Sequence, residues 1–285
     1  MKRIFLTLSL IIAIAAAGCA SPAATHDPVT ETKVQGDTVT VATANLASPM
    51  KVTVIQPSRA LEADNSEKFP TVYLLNGYGG SYKTWPALQD LDSLANVYGM
   101  IFVCPDGRDS WYWDSPIDKE MQMESFFVND LVPYIDANYP TIASPDKRAI
   151  TGLSMGGHGA LYLAMRHPDL FKNAGSTSGG VDIRPFPNNW KMKLRLGEYE
   201  SNKDVWDSHT VATIAKDITD GQLNIIFDCG AQDFFAKVNN NLHNDLLARG
   251  ISHDYISRPG IHNGAYWSNS ILYQLLYFNR KFQGK

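Results

Sequence analysis

Apolar residues in this chain fall into short runs, and the runs alternate with longer stretches where apolar positions recur at helical spacing. Runs at 38–42 and 51–55 come first, the second carrying β-branched Val52, Val54 and Ile55. The run at 70–76 ends in Gly77, Gly79 and Gly80, the pattern of a buried parallel strand opening into a loop. Further strands are predicted at 100–103, 148–151, 222–227 and 254–257, while 171–174 is short and ambiguous. Helices are predicted at 123–139, 156–166, 235–249 and 269–282. The first of these has Phe127, Leu131 and Ile135 at four-residue spacing, and Pro133 should kink it. Strands alternating with helices predict an α/β fold, a mostly parallel sheet with helices on both faces in a three-layer sandwich. No linker breaks the pattern, so 36–285 reads as one domain. Only 182–217 departs from the rhythm; with Pro185, Pro187, Asn188, Asn189 and Trp190 it reads as an irregular insertion, a lid or rim.

The amino-terminal segment follows a different rule. Lys2 and Arg3 precede an uncharged, mostly apolar stretch at 4–17. A membrane-spanning helix needs about 20 apolar residues, so this stretch fits a secretory signal at 1–18 instead. Ala16-Ala17-Gly18-Cys19 resembles the bacterial lipoprotein cleavage box, in which the cysteine becomes the lipidated first residue. Ordinary cleavage after one of the alanines is the alternative. Residues 19–35, rich in Ala, Pro, Thr and charge, read as a flexible tether. The expectation is therefore an exported protein, a cell-envelope lipoprotein or otherwise periplasmic or secreted, touching the membrane only through a lipid on Cys19.

Composition narrows the function. With 44% hydrophobic and 19% charged residues the chain holds enough apolar mass for a packed core. Its net charge of −4 and its lack of any long run of like charges give no basic field, so no nucleic-acid partner is expected. If Cys19 is lipidated, Cys104 and Cys229 remain of the three cysteines. The expected strand order puts three strands between them, a separation of roughly 19 Å. A disulfide needs Cα atoms within about 7 Å, so both should be free, buried thiols. No H-x-x-x-H or paired Cys/His spacing suggests a metal.

Candidate chemistry centres on Gly152-Leu153-Ser154-Met155-Gly156, a G-x-S-x-G nucleophile elbow. The motif alone is common. Here a predicted strand precedes it, and Gly157, Gly159 and Ala160 permit close helix packing after it. A serine nucleophile needs a base and an acid, in chain order Ser, acid, His for this elbow. Of the seven histidines, His26 and His158 fail on order, and His167, His209 and His243 lie in helical or inserted segments. His253 sits at the wrong end of the last strand. His262 follows that strand, at the carboxyl end where open parallel sheets bind ligands. Asp233 lies just past the preceding strand and is the expected acid, with Asp228 its rival inside that strand. The oxyanion donors are expected to be the backbone N–H groups of Met155 and Tyr78, the latter in the glycine-rich loop. Aromatic residues crowd the expected loops: Tyr78, Tyr82, Trp85, Trp111, Tyr112, Trp113, Tyr266 and Trp267. They line a substrate pocket or anchor loops to the core, with Trp111, Tyr112 and Trp267 the candidate substrate wall.

At this point the chain resembles the esterase D and tributyrin-esterase group, which includes acetyl-xylan and feruloyl esterases. The resemblance rests on six segments in order: 74–80, Pro105-Asp106-Gly107 with Ser110-Trp111-Tyr112, 130–136, 152–157, Asp228-Cys229-Gly230 with Asp233-Phe234, and Gly260-Ile261-His262. It implies the α/β-hydrolase fold, no cofactor, and Ser154, Asp233 and His262 as a catalytic triad. The substrate it implies is a small-molecule or oligosaccharide ester, with a short-chain or feruloyl acyl group on carbohydrate. Thioester hydrolysis, acyl transfer and a non-catalytic binding module on the same fold are the alternatives. Two departures stand out. The family usually carries histidine where Asn76 stands, and often tryptophan at the position of Gly264.

Overall fold

The computed structural model describes residues 36–285; the predicted leader, the tether, His26 and Cys19 lie outside them. Eight strands form one sheet: β1 (Asp37–Val41), β2 (Met50–Ile55), β3 (Thr71–Leu75), β4 (Ile101–Pro105), β5 (Arg148–Gly152), β6 (Asn173–Thr177), β7 (Asn224–Gly230) and β8 (His253–Arg258). Their spatial order is β1-β2-β4-β3-β5-β6-β7-β8. The first two pairings are antiparallel and the other five parallel. β3 and β4 are wholly buried, which is why they read as unbroken apolar runs. After β3 the chain steps outward to β4 and then returns past β3 to lay down β5. The carboxyl ends of β3 and β5 are thus a topological switch point, where such sheets form their crevice.

The helices are α1 (Thr84–Leu88), α2 (Leu91–Tyr98), α3 (Met123–Phe126), α4 (Val132–Asn138), α5 (Met155–Arg166), α6 (Lys193–Leu196), α7 (Lys203–Ser208), α8 (Val211–Ile214), α9 (Ala236–Ala248) and α10 (Gly264–Phe282). Two buried side-chain clusters, one holding Phe127, Leu161 and Phe171 and the other Leu74, Phe102 and Leu275, fill the two faces of the sheet. The first two short helices escape the periodicity reading; α2 is nonetheless marked by Asp90, whose carboxylate accepts from Ser93 N, and by Gly99 in the left-handed region at its end.

Three local outcomes differ from expectation. β6 occupies 173–177, later than the ambiguous run. It is fully buried yet reads Asn-Ala-Gly-Ser-Thr, because it is squeezed between packed neighbours. A Cβ on Gly175 would lie 2.4 Å from Gln274 Oε1 and 2.7 Å from Thr151 Oγ1. Crowding and polar pairing hold this strand, so hydrophobicity gives no signal. Across 123–139, a turn of π-helix (Phe127–Leu131) joins α3 to α4, placing Pro133 in the first turn of α4 where no N–H is required. α10 begins at Gly264, ahead of the expected 269, because Asn263 caps it by accepting from Tyr266 N at 3.0 Å. Cys104 and Cys229 are free and buried, with β3, β5 and β6 between their strands.

Candidate active site

Ser154 stands between β5 and α5 with φ 56° and ψ −117°, a conformation disfavoured for residues with a Cβ. The turn is tight enough to demand glycine on both sides. A Cβ on Gly152 would lie 2.5 Å from the Gly156 carbonyl carbon, and one on Gly156 2.3 Å from Leu75 O. Hydrogen bonds from Ser154 N to Thr177 O and from Gly156 N to Leu153 O hold the turn. The serine therefore projects from the carboxyl end of the sheet at the N-terminus of a twelve-residue helix, whose dipole favours negative charge nearby.

The loop after β8 brings His262 to this serine. His262 Nε2 lies 2.9 Å from Ser154 Oγ, and its Nδ1 lies 2.9 Å from Asp233 Oδ2. The Asp233 side chain is fully buried, and its other oxygen accepts from Phe235 N at 2.8 Å. With Nδ1 donating to the carboxylate, Nε2 is left as the acceptor that a serine hydroxyl needs. Asp228, the rival acid, makes no such contact. Its carboxylate accepts from Thr177 Oγ1 (2.7 Å), Ser270 Oγ (2.6 Å) and Gln274 Nε2 (2.7 Å), tying β6, β7 and α10 together. Burial pushes its carboxyl above the usual range, against the pull of those three donors.

Two backbone N–H groups, those of Met155 and Tyr78, belong to the segments that flank the serine. Met155 is the first residue of α5, so its N–H has no partner within the helix. The Gly77–Gly80 loop crosses directly opposite, since a Cβ on Gly77 would stand 3.3 Å from Ser154 Cβ. Among the described residues neither Tyr78 N nor Met155 N donates to a backbone acceptor outside the regular elements. A cavity of about 400 Å³ opens here, lined by Gly77, Tyr78, Gly79, Gly80, Thr84, Leu153, Ser154, Trp190, Phe234, His262 and Trp267. Among the described residues, no Lys, Arg, Asp or Glu side chain lines it.

The candidate substrate wall needs correction. Of its three members only Trp267 reaches the cavity, edge-on to His262 with ring centroids 4.9 Å apart. Trp111 and Tyr112 are fully buried. Trp111 is stacked on Trp113 and edged against His158, and Tyr112 is wedged between Gly107 and Gly159. They are bulky and apolar and both adopt positive φ, so the fold holds them under the site loops and away from solvent. The wall instead includes Phe234, whose ring is tilted 38° against His262 at a centroid distance of 4.3 Å, and Trp190, nearly parallel to Phe234 at 5.9 Å. Phe234 adjoins Asp233 in sequence, which is a readable signal. Trp190 comes from the insertion, and nothing local aims it at the serine. That insertion folds into α6, α7 and α8, with Arg195 clamping it to Asp109 (2.6 Å) and to Asp118.

His158, one turn into α5, is buried and neutral. Trp113 Nε1 donates to its Nε2, and its Nδ1 donates to Gly180 O; burial lowers its pKa to about 4. No three His, Cys, Asp or Glu side chains converge as a metal site among the described residues.

The family model described as "Putative esterase" matches residues 43–278. The chain belongs to the Esterase family. It is 27% identical over 234 residues to an acetyl esterase of Caldicellulosiruptor saccharolyticus, covering 76% of this chain and 86% of that protein. It is 24% identical to the S-formylglutathione hydrolase of Mus musculus, over 73% of this chain and 78% of that one. A solved ferulic acid esterase superposes with a TM-score of 0.73 at 25% identity, covering 88% of this chain and all of the other. This member of the family is accordingly a carboxylic ester hydrolase with the α/β-hydrolase fold.

Proposed function

We propose that this esterase cleaves short-chain or feruloyl esters of carbohydrates by a serine acyl-enzyme mechanism. The observation that carries the proposal is the 2.9 Å pair of contacts linking Ser154, His262 and Asp233. Ser154 Oγ attacks the ester carbonyl carbon while His262 Nε2 takes its proton. The carbonyl oxygen becomes an oxyanion held by the Tyr78 and Met155 N–H groups. Collapse expels the alcohol, which receives the proton from His262, and leaves an acyl group on Ser154. Water then attacks the acyl carbon as His262 takes its proton, and collapse of this second oxyanion releases the acid while His262 returns the proton to Ser154 Oγ. Asp233 keeps the imidazole in the right tautomer and stabilises its cation without taking the proton.

Substrate class is argued from the wall. Trp190, Phe234 and Trp267 offer flat apolar surfaces to a planar acyl group or a sugar face. The acetyl and ferulic acid esterases among the relatives support an ester substrate, and the uncharged lining favours a neutral group over the ionic glutathione of the thioester-cleaving relatives. We further propose export, from the pattern at 1–19, with Cys19 as the lipidated residue.

Turnover of acetylated and feruloylated xylo-oligosaccharides should exceed that of S-formylglutathione in kcat/KM. Ser154→Ala should lower it by about 10⁴-fold or more in a folded protein, since the triad acts as a unit. Trp190→Ala should reduce kcat/KM for the feruloyl ester more than for the acetyl ester. A preference for the thioester would overturn the substrate assignment, and turnover close to wild type in Ser154→Ala the nucleophile.

A further inference from the structure

The departure at Asn76 and the strain at Trp111 and Tyr112 converge on one peptide. Asn76 is buried at the end of β3, immediately before the loop that faces Ser154. Its Nδ2 donates to Gly77 O at 2.9 Å, and Gly80 N donates to the same oxygen at 3.0 Å. Its Oδ1 accepts from Gly107 N at 2.8 Å, which ties the loop to the segment after β4. Tyr112 braces this arrangement from below, its hydroxyl donating to Asn76 O at 3.0 Å with Asn76 Oδ1 at 3.3 Å. Room for the tyrosine is made by glycines: a Cβ on Gly107 would lie 2.2 Å from Tyr112 Oη, and one on Gly159 2.2 Å from its Cδ2. Trp111 and Tyr112 hold φ of 55° and 66° to place that ring, a cost the surroundings must offset.

The consequence follows from the planarity of the peptide bond. Gly77 C=O and Tyr78 N–H belong to one trans peptide and point in opposite directions. Two donors pin the carbonyl oxygen, so the N–H is pinned as well, on the far side. We propose that Asn76 and Tyr112 are positioning residues that aim the Tyr78 N–H at the reacting carbonyl oxygen. The inference rests on the nucleophile reading above. It assigns the buried Trp111-Tyr112 pair a part in the reaction that involves no contact with substrate.

Asn76→Asp keeps the acceptor for Gly107 N but sets a carboxylate oxygen against Gly77 O, turning the peptide. Per site labelled by a fluorophosphonate, kcat on an aryl acetate should fall about 30-fold with KM within about twofold, the loss of an oriented oxyanion donor. Affinity for a trifluoromethyl ketone, whose hemiketal oxygen takes the oxyanion position, should weaken by the same factor. Tyr112→Phe, which removes only the hydroxyl, should lower both by about fivefold. Wild-type kcat and ketone affinity in Asn76→Asp, or a loss confined to KM or to Tm, would overturn the inference while leaving the nucleophile intact. Failure of the wild-type protein to label at Ser154 would overturn the nucleophile reading and the inference together.

Discussion

Asp228 and Asp233 sit on the same stretch of chain, and what separates them is the set of groups each carboxylate meets. Asp228 is enclosed by three donors from β6 and α10, whereas Asp233 meets one backbone N–H and an imidazole. Replacing Asp233 by Asn removes the group that fixes the His262 tautomer, so kcat should drop by about 10³- to 10⁴-fold with little change in Tm. Asp228→Asn should do the reverse. It weakens charge-assisted bonds that hold strands to a helix, so Tm should fall by several degrees while kcat per folded molecule stays within about tenfold. Kinetics and thermal melts on the two variants check both halves, and a larger kcat loss in Asp228→Asn would reverse the acid assignment. Placement distinguished these aspartates in the sequence, Asp233 lying just past the strand and Asp228 within it; the three partners of Asp228 could not be read there, being far away along the chain.

At the scale of elements, α5 is the piece on which the site depends. Nearly all of it is buried, and the serine immediately precedes its first turn. His158 fastens that turn by accepting from Trp113 and donating to Gly180 O, and Gly180 N in turn reaches Ser154 O. Burial holds the His158 pKa near 4, below the 6.5 of a free imidazole, so the folded protein binds fewer protons than the unfolded chain between those values. Stability is therefore full above pH 6.5 and declines as pH falls toward 4, by roughly 3 kcal/mol from this group. His209, lowered mainly by burial, acts in the same direction. The urea midpoint should drop between pH 7 and pH 5. His158→Gln, which retains one donor and one acceptor without titrating, should flatten that dependence. An unchanged slope would show that His158 does not carry it.

For the whole molecule, the cavity is assembled from pieces far apart in the chain: the β3 loop, the elbow, the insertion, and the loops after β7 and β8. The proposed anchor is a property of the same scale, since it sets where this assembly works. Cys19→Ala should move the protein from the membrane fraction to the soluble one, or block its maturation. Equal partitioning of both forms would remove the lipid anchor and leave export standing. Stable attachment takes more than one acyl chain, so the native form should resist extraction by salt and yield to detergent.

Much of this protein is written locally. Buried parallel strands must be apolar along their length, an elbow needs glycines beside its serine, and chain order restricts which histidine can follow; Ser154, Asp233 and His262 were legible for those reasons. The position of Trp267 was legible too, because it lies only five residues beyond that histidine. Packing between distant segments decided the rest. Trp111 and Tyr112 look like exposed loop aromatics until Gly107, Gly159 and His158 close over them. Trp190 looks like part of a loose insertion until Arg195 clamps that insertion down beside the serine. β6 is hidden in the sequence because its burial rests on Gln274 and Thr151 and needs no apolar side chains of its own. Short-range pattern encodes which backbone a segment adopts, while the side chain's surroundings come from residues a hundred positions away.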